Sequence, residues 1–343
     1  MARTSRRAAA ASVLLTVLSA CGGGGGGDSD SGGGNNPPVG GSGILAGKSS
    51  VAREIASAIA LLQDFSPDAD AMLPGEDPAF SSKRARAKAT TSCLQGGTVA
   101  IDGIDGSRPF LYFPVTLDVS GGKQTFSDCT VTFQPNNSST TTETFNGVLE
   151  EAAGSNDSGD DYSYALAGDG NGSANDFIAE VQTGGGAPIV ETFALHGLVE
   201  RAELSDRKVE IARDLTYGHT SNASGPTIQY SATIGQGADF RLQAFDNGDL
   251  TIDGPLSYTS SSSSCAGGAI TLATLQNLKP AASSGPTDLV AGVLKITSGA
   301  TSVTITFNSD GSATVDFGGG HVETLSTSEL TSAESALACR GGS

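Results

Sequence analysis

The chain has 343 residues, 19 Lys and Arg against 37 Asp and Glu, a net charge of −18, 47 glycines and no tryptophan. Such a balance argues against a nucleic-acid partner, because phosphate binding draws its affinity from Lys and Arg. Charged residues make up only 16%, while Gly, Ser and Thr abound, the make-up of a turn-rich β-protein long enough to bury a core.

The first elements concern address. Arg3, Arg6 and Arg7 form a basic start, and Ala8 to Ala20 is uncharged and apolar. That run is too short for a hydrocarbon core, which needs about 20 helical residues. It has the layout of a secretory signal peptide with a small-residue cleavage site. Leu18-Ser19-Ala20-Cys21 closes it. This stretch resembles the lipobox of bacterial lipoproteins. The resemblance implies a signal peptide over 1–20, cleavage before Cys21, and a thioether from Cys21 to diacylglycerol. Several acyl chains would then anchor the protein to a membrane, where one chain holds only marginally. Gly22, in the place where Asp often marks inner-membrane retention in that family, implies outer-membrane sorting. Removing the three signal arginines from the 19 basic residues leaves the mature chain at −21, repelled by anionic lipid unless divalent cations bridge.

Residues 21–48, rich in Gly, Ser, Asn, Asp and Pro, read as a flexible tether. Next, Val51, Ile55, Ile59 and Leu62 recur at helical spacing, with Arg53 and Glu54 off the stripe. They predict an amphipathic helix over 49–65, capped by Ser49 or Ser50, ended before Pro67, and packed on its own core. Residues 66–92 read as an irregular linker. It ends in Lys83, Arg84, Arg86 and Lys88, the one basic cluster, expected to be a solvated segment.

Residues 93–343 read as a β-domain. Apolar residues alternate with polar ones at Leu111 to Val119, Ile228 to Ile234, Phe240 to Ala244, Val303 to Phe307 and Ala313 to Phe317. Period-two alternation gives each strand one buried and one wet face, the habit of antiparallel sheets. Asp246-Asn247-Gly248-Asp249 and Ser309-Asp310-Gly311 predict hairpin turns. Gly147, Gly197, Gly254 and Gly292 lie inside strand-like runs, where glycine marks a bulge or sharp curvature. The serine run 260–264 suggests a subdomain boundary. Ser326 followed by Glu329 suggests a short capped C-terminal helix.

With Cys21 taken by lipid, Cys93, Cys129, Cys265 and Cys339 remain. An even number in an exported chain suggests two bridges, and spacing alone allows three pairings. We expect Cys93–Cys129 and Cys265–Cys339, because each pair encloses its own group of strands. Each bridge would stabilise by at most about 4 kcal/mol on the chain-entropy account. No pair has CxxC spacing and the histidines are scattered, so no metal site or cofactor is expected.

No Gly-x-Ser-x-Gly elbow, His-Glu-x-x-His or phosphate-binding loop occurs. His196, His219 and His321 are the available general bases, each in or beside a strand-like segment. Glu150/Glu151 and Asp160/Asp161 are adjacent pairs, and neighbours on a strand face opposite ways. Asp169, Asn171, Ser173, Asn175 and Glu180 fall at ligand positions of a calcium-loop template. Ala174 stands where that loop wants Gly, and its flanks read as strands, so a polar hairpin turn is preferred. The expectation is therefore an all-β antiparallel meander forming a sandwich or partly closed barrel, with one N-terminal helix and a short C-terminal one. Functionally it is a non-enzymatic cell-envelope lipoprotein, structural or binding, whose partner is another envelope protein or a hydrophobic ligand. A carrier of lipid on a curved sheet, and an enzyme assembled from distant strands, are the alternatives.

Overall fold

The computed structural model describes residues 45–64, 89–136, 139–168, 176–184, 188–222, 227–261, 267–281 and 289–335. Among them, helix α1 (Lys48–Asp64) precedes strands β1 (Ala89–Ser92), β2 (Gly96–Pro109), β3 (Thr116–Asn136), β4 (Ser139–Ser155), β5 (Asp161–Ala167), β6 (Phe177–Thr183), β7 (Ile189–Glu203) and β8 (Arg207–Ser221). Then come β9 (Ile228–Ile234), β10 (Phe240–Phe245), β11 (Leu250–Ser260), β12 (Gly268–Pro280), β13 (Leu289–Ser298), β14 (Thr301–Phe307), β15 (Ala313–Asp316), β16 (Val322–Leu325) and helix α2 (Thr327–Ser335). All sixteen strands belong to one antiparallel sheet, curled into a partial ring.

The sheet is a meander in which strands pair with chain neighbours. Two places refine that rule. Strands β5 and β6 both lie between β4 and β7, end to end, and β9 and β10 lie likewise between β8 and β11. Each couple occupies one place in the sheet; residues 235–239 separate β9 from β10. The polar turn expected around Asp169 to Glu180 falls largely on residues 169–175, outside the described residues; the strands on either side of it, β5 and β6, share partners and do not pair with each other. Nor does the serine run divide the domain. The strands on either side of it, β11 and β12, pair in the same sheet with Tyr258 opposite Gly268.

A line of register breaks crosses the sheet where the interior glycines fall. The ladder shifts opposite Gly147, beside Gly197, at Gly254 and around Gly292. At Gly147 φ is +90°, and a Cβ would collide with the carbonyl oxygen of Asp176. At Gly254 φ is +125°, and a Cβ would come 2.5 Å from the carbonyl oxygen of Asp239. A side chain is excluded twice over at each, by backbone conformation and by the neighbouring carbonyl. Bulges sharpen local twist, and breaks in neighbouring strands curl the sheet.

The concave face carries the main core, with Phe193, Leu195, Tyr230, Leu242, Ile252, Leu294 and Ile305 among its buried members. Val51 and Ile55 of α1 are fully buried in it, as the helical stripe predicts. Glu54, expected off the stripe, is also buried. It lies three residues after Val51, which puts it on the same helix face. Ser50 is not a cap: its hydroxyl donates to the carbonyl of Gly47, one residue before the helix. At the other end Ser326 and Glu329 do form the expected capping box. Ser326 N donates to Glu329 Oε2 at 2.8 Å, and Glu329 N to Ser326 Oγ at 3.3 Å.

A second core lies on the opposite face. Phe110, Tyr162, Tyr164 and Ala202 form its centre, with Phe113, Val115 and Leu117 packed against them. Alternation predicted a strand from Leu111, but residues 110–115 are the β2–β3 connection and Leu111 is 73% exposed. Pro114 explains the difference, because it has no N–H for a ladder and holds Phe113 out of regular pairing. The connection folds back over β5 and β7, where its aromatics meet Tyr162.

Candidate functional site

Cys93 and Cys129 are joined by a disulfide across 36 residues, with Cα atoms 5.3 Å apart. Cys21, Cys265 and Cys339 lie outside the described residues, as do Lys83, Arg84, Arg86, Lys88, Asp169, Asn171, Ser173 and Asn175. Glu180 is in β6, well inside the strand, where its carboxylate accepts from Gln182 at 2.8 Å. Among the described residues no three or more His, Cys, Asp or Glu are grouped to hold a metal ion. None of the described helices is long and apolar enough to cross a membrane.

Each histidine faces a carboxylate. His321 Nε2 lies 2.9 Å from Glu323 Oε1 at the edge strand β16, largely exposed. His196 Nδ1 lies 2.9 Å from Asp176 Oδ1 on the line of register breaks. His219 is fully enclosed and stacks on Phe193, ring centroids 4.6 Å apart. Its Nε2 is 3.5 Å from Glu191 Oε1, which also accepts a 3.4 Å hydrogen bond from Ser221 Oγ. The serine thus meets the carboxylate and not the imidazole, whose two nitrogens make no hydrogen bond. An activated serine needs the base itself at its hydroxyl, so this trio is not arranged for nucleophilic attack.

The trio belongs to a polar patch on the concave face near one rim of the sheet. Glu143 of β4 is 0% exposed and neither carboxylate oxygen has a hydrogen-bond partner. Burial alone pushes its carboxyl up to about 7. Thr141 is buried one inward position nearer the rim and faces Thr183. Sequence reading missed the patch. Thr141 and Glu143 sit in a run of threonines whose pattern does not tell the inside of a curled sheet from the outside.

A second buried carboxylate on this face ties helix to sheet. Glu54 Oε1 accepts the hydroxyl of Tyr258 in β11, while Oε2 has no partner. Burial raises the Glu54 carboxyl to about 7 against the opposing pull of that hydrogen bond and of Arg53. Burial and the neighbouring carboxylate push the Tyr258 hydroxyl up as well. On the opposite face, Glu200 of β7 accepts the backbone N–H of Leu111 at 2.6 Å and of Tyr112 at 2.8 Å. Beside it, Arg108, Glu150 and Tyr164 form a hydrogen-bonded cluster, with the guanidinium over the Tyr164 ring. These contacts hold the β2–β3 connection down.

No protein family matches the chain, and neither the curated proteins nor the solved structures provide a match.

Proposed function

We propose that the protein is a non-enzymatic envelope lipoprotein, acylated at Cys21, whose curled sheet is a structural or binding module held off the membrane by the segment between Cys21 and Leu45, the latter already buried in the main core. The Cys93–Cys129 bridge carries this reading, because structural disulfides belong to oxidising compartments. The signal-like start and the lipobox resemblance agree with it. Helix α1 covers part of the apolar concave face that a greasy ligand would need, which favours a binding or structural role over a lipid carrier.

The test is the mass and partitioning of the protein expressed with its own first twenty residues in a bacterium. A mature chain starting at Cys21, heavier by diacylglycerol and an acyl group, and moving to the detergent phase is expected. Cys21→Ala should retain residues 1–20 and lose the acyl mass. Wild-type protein found uncleaved in the cytoplasm overturns the reading.

A further inference from the structure

Glu143, Glu191, Ser221 and His219 occupy a defined place on the concave face. Register aligns Glu143 with Val181, Val181 with Glu191, and Glu191 with Ser221, a single row across β4, β6, β7 and β8. His219, opposite Phe193, stands in the next row inward. Val181 and Phe193 belong to the main core, so the polar side chains share its face.

In this row Ser221 Oγ donates to Glu191, whereas Glu143 is unmet, as is His219 in the next row. Both oxygens of Glu143 and both nitrogens of His219 are buried without a hydrogen-bond partner. A buried carboxylate without partners is costly, and native interiors pair such groups. The imidazole approaches Glu191 and not Glu143. The Glu191 side chain is 18% exposed, which opens the row to solvent at the rim.

Spacing selects the chemistry. Strands lie about 4.8 Å apart, so the two glutamates stand roughly 10 Å apart at their Cα atoms with Val181 between. These acids and His219 do not form a metal-holding group, and a metal ion needs its oxygens within about 2.6 Å. An ammonium group bears three donors around a compact charge and suits two carboxylates approaching from either side. The Val181 side chain between them offers apolar contact to a short alkyl chain.

We propose that Glu143 and Glu191, with Ser221 and His219 beside them, form a binding site for a small primary ammonium compound on the concave face. The site does not depend on acylation at Cys21, so failure of one claim leaves the other standing.

The experiment uses n-butylammonium chloride as probe with the folded, unacylated chain at pH 8, followed by calorimetry and by NMR of the Val181 methyl groups. Saturable binding is expected, with contacts from the butyl chain to Val181. Glu143→Gln should weaken binding about tenfold or more, since it removes one charge-assisted partner. Glu323→Gln, on the edge strand, should leave it unchanged. Should Glu143→Gln fail to fold, Glu191→Gln and the Val181 contacts in the wild type decide the matter. No binding at millimolar probe, equal binding by Glu143→Gln, or saturation by calcium chloride with none by butylammonium overturns the proposal.

Discussion

Burial governs Glu54 and Glu143, and it makes stability depend on pH. Each carboxyl is held near 7 in the folded chain, above its ordinary value of 4.5. The unfolded chain therefore loses these protons first as pH rises. Their contribution is full below about pH 4.5, declines between about 4.5 and 7, and is level above. For Glu54 the loss is at most about 3 kcal/mol, from the free energy of a pKa difference. Urea unfolding at pH 4.5 and pH 8 should show it. Glu54→Gln keeps an acceptor for Tyr258 and should be the more stable chain at pH 8 only. Glycine positions give a second test at this scale. Gly254→Ala should cost about 2–4 kcal/mol in denaturant unfolding, combining positive-φ strain with a carbonyl clash. Gly248 has φ +82° but open space around its missing Cβ, so Gly248→Ala should cost only about 1 kcal/mol.

Among the elements, the β2–β3 connection depends most on one distant side chain. Glu200 takes two of its backbone N–H groups, and Phe110 and Phe113 then bury against Tyr162. Glu200→Ala should loosen residues 110–115. Limited proteolysis should then cut there first, with little change in the strand signal by circular dichroism; resistance equal to wild type would show that the aromatic contacts suffice. The helices are held differently. The two pack on each other, and Lys48 Nζ meets Glu329 Oε1 at 2.7 Å. That ammonium, and after it the Ser326 hydrogen bonds of the capping box, draw the Glu329 carboxyl down to about 2. This pair is largely exposed, so its worth to the fold is small.

For the whole molecule the deciding feature is a sheet open between β1 and β16. Neighbour-to-neighbour pairing means each strand can be lost from an edge without threading. Cys93 follows the edge strand β1 directly, and its bridge reaches Cys129 in β3, past β2. The bridge thereby clamps the edge on which fraying would start. Reduction should remove up to about 4 kcal/mol on the chain-entropy account. Hydrogen exchange should rise first over 89–109 and leave β13 and β14 protected; uniform exposure across the sheet would argue against an edge clamp.

By itself the sequence determined the features that local chemistry controls. Alternation at Ile228 to Ile234 and Phe240 to Ala244 marked β9 and β10, with the apolar residues inward as expected. Asp246 to Asp249 makes the β10–β11 turn, closed by Phe245 N to Asp249 O at 2.9 Å. Interior glycines foretold the register breaks, since only glycine accepts that backbone. Cys93 and Cys129 are bridged as expected from a pair that encloses its own group of strands. Tertiary structure alone decided which carboxylates are buried, where β5 and β6 lie, and that residues 110–115 fold back onto the sheet. The reason is range. Period and turn chemistry act over a few residues, whereas facing is set by how far the sheet curls. Glu143 became an interior acid only when β4, β6 and β7 closed around it.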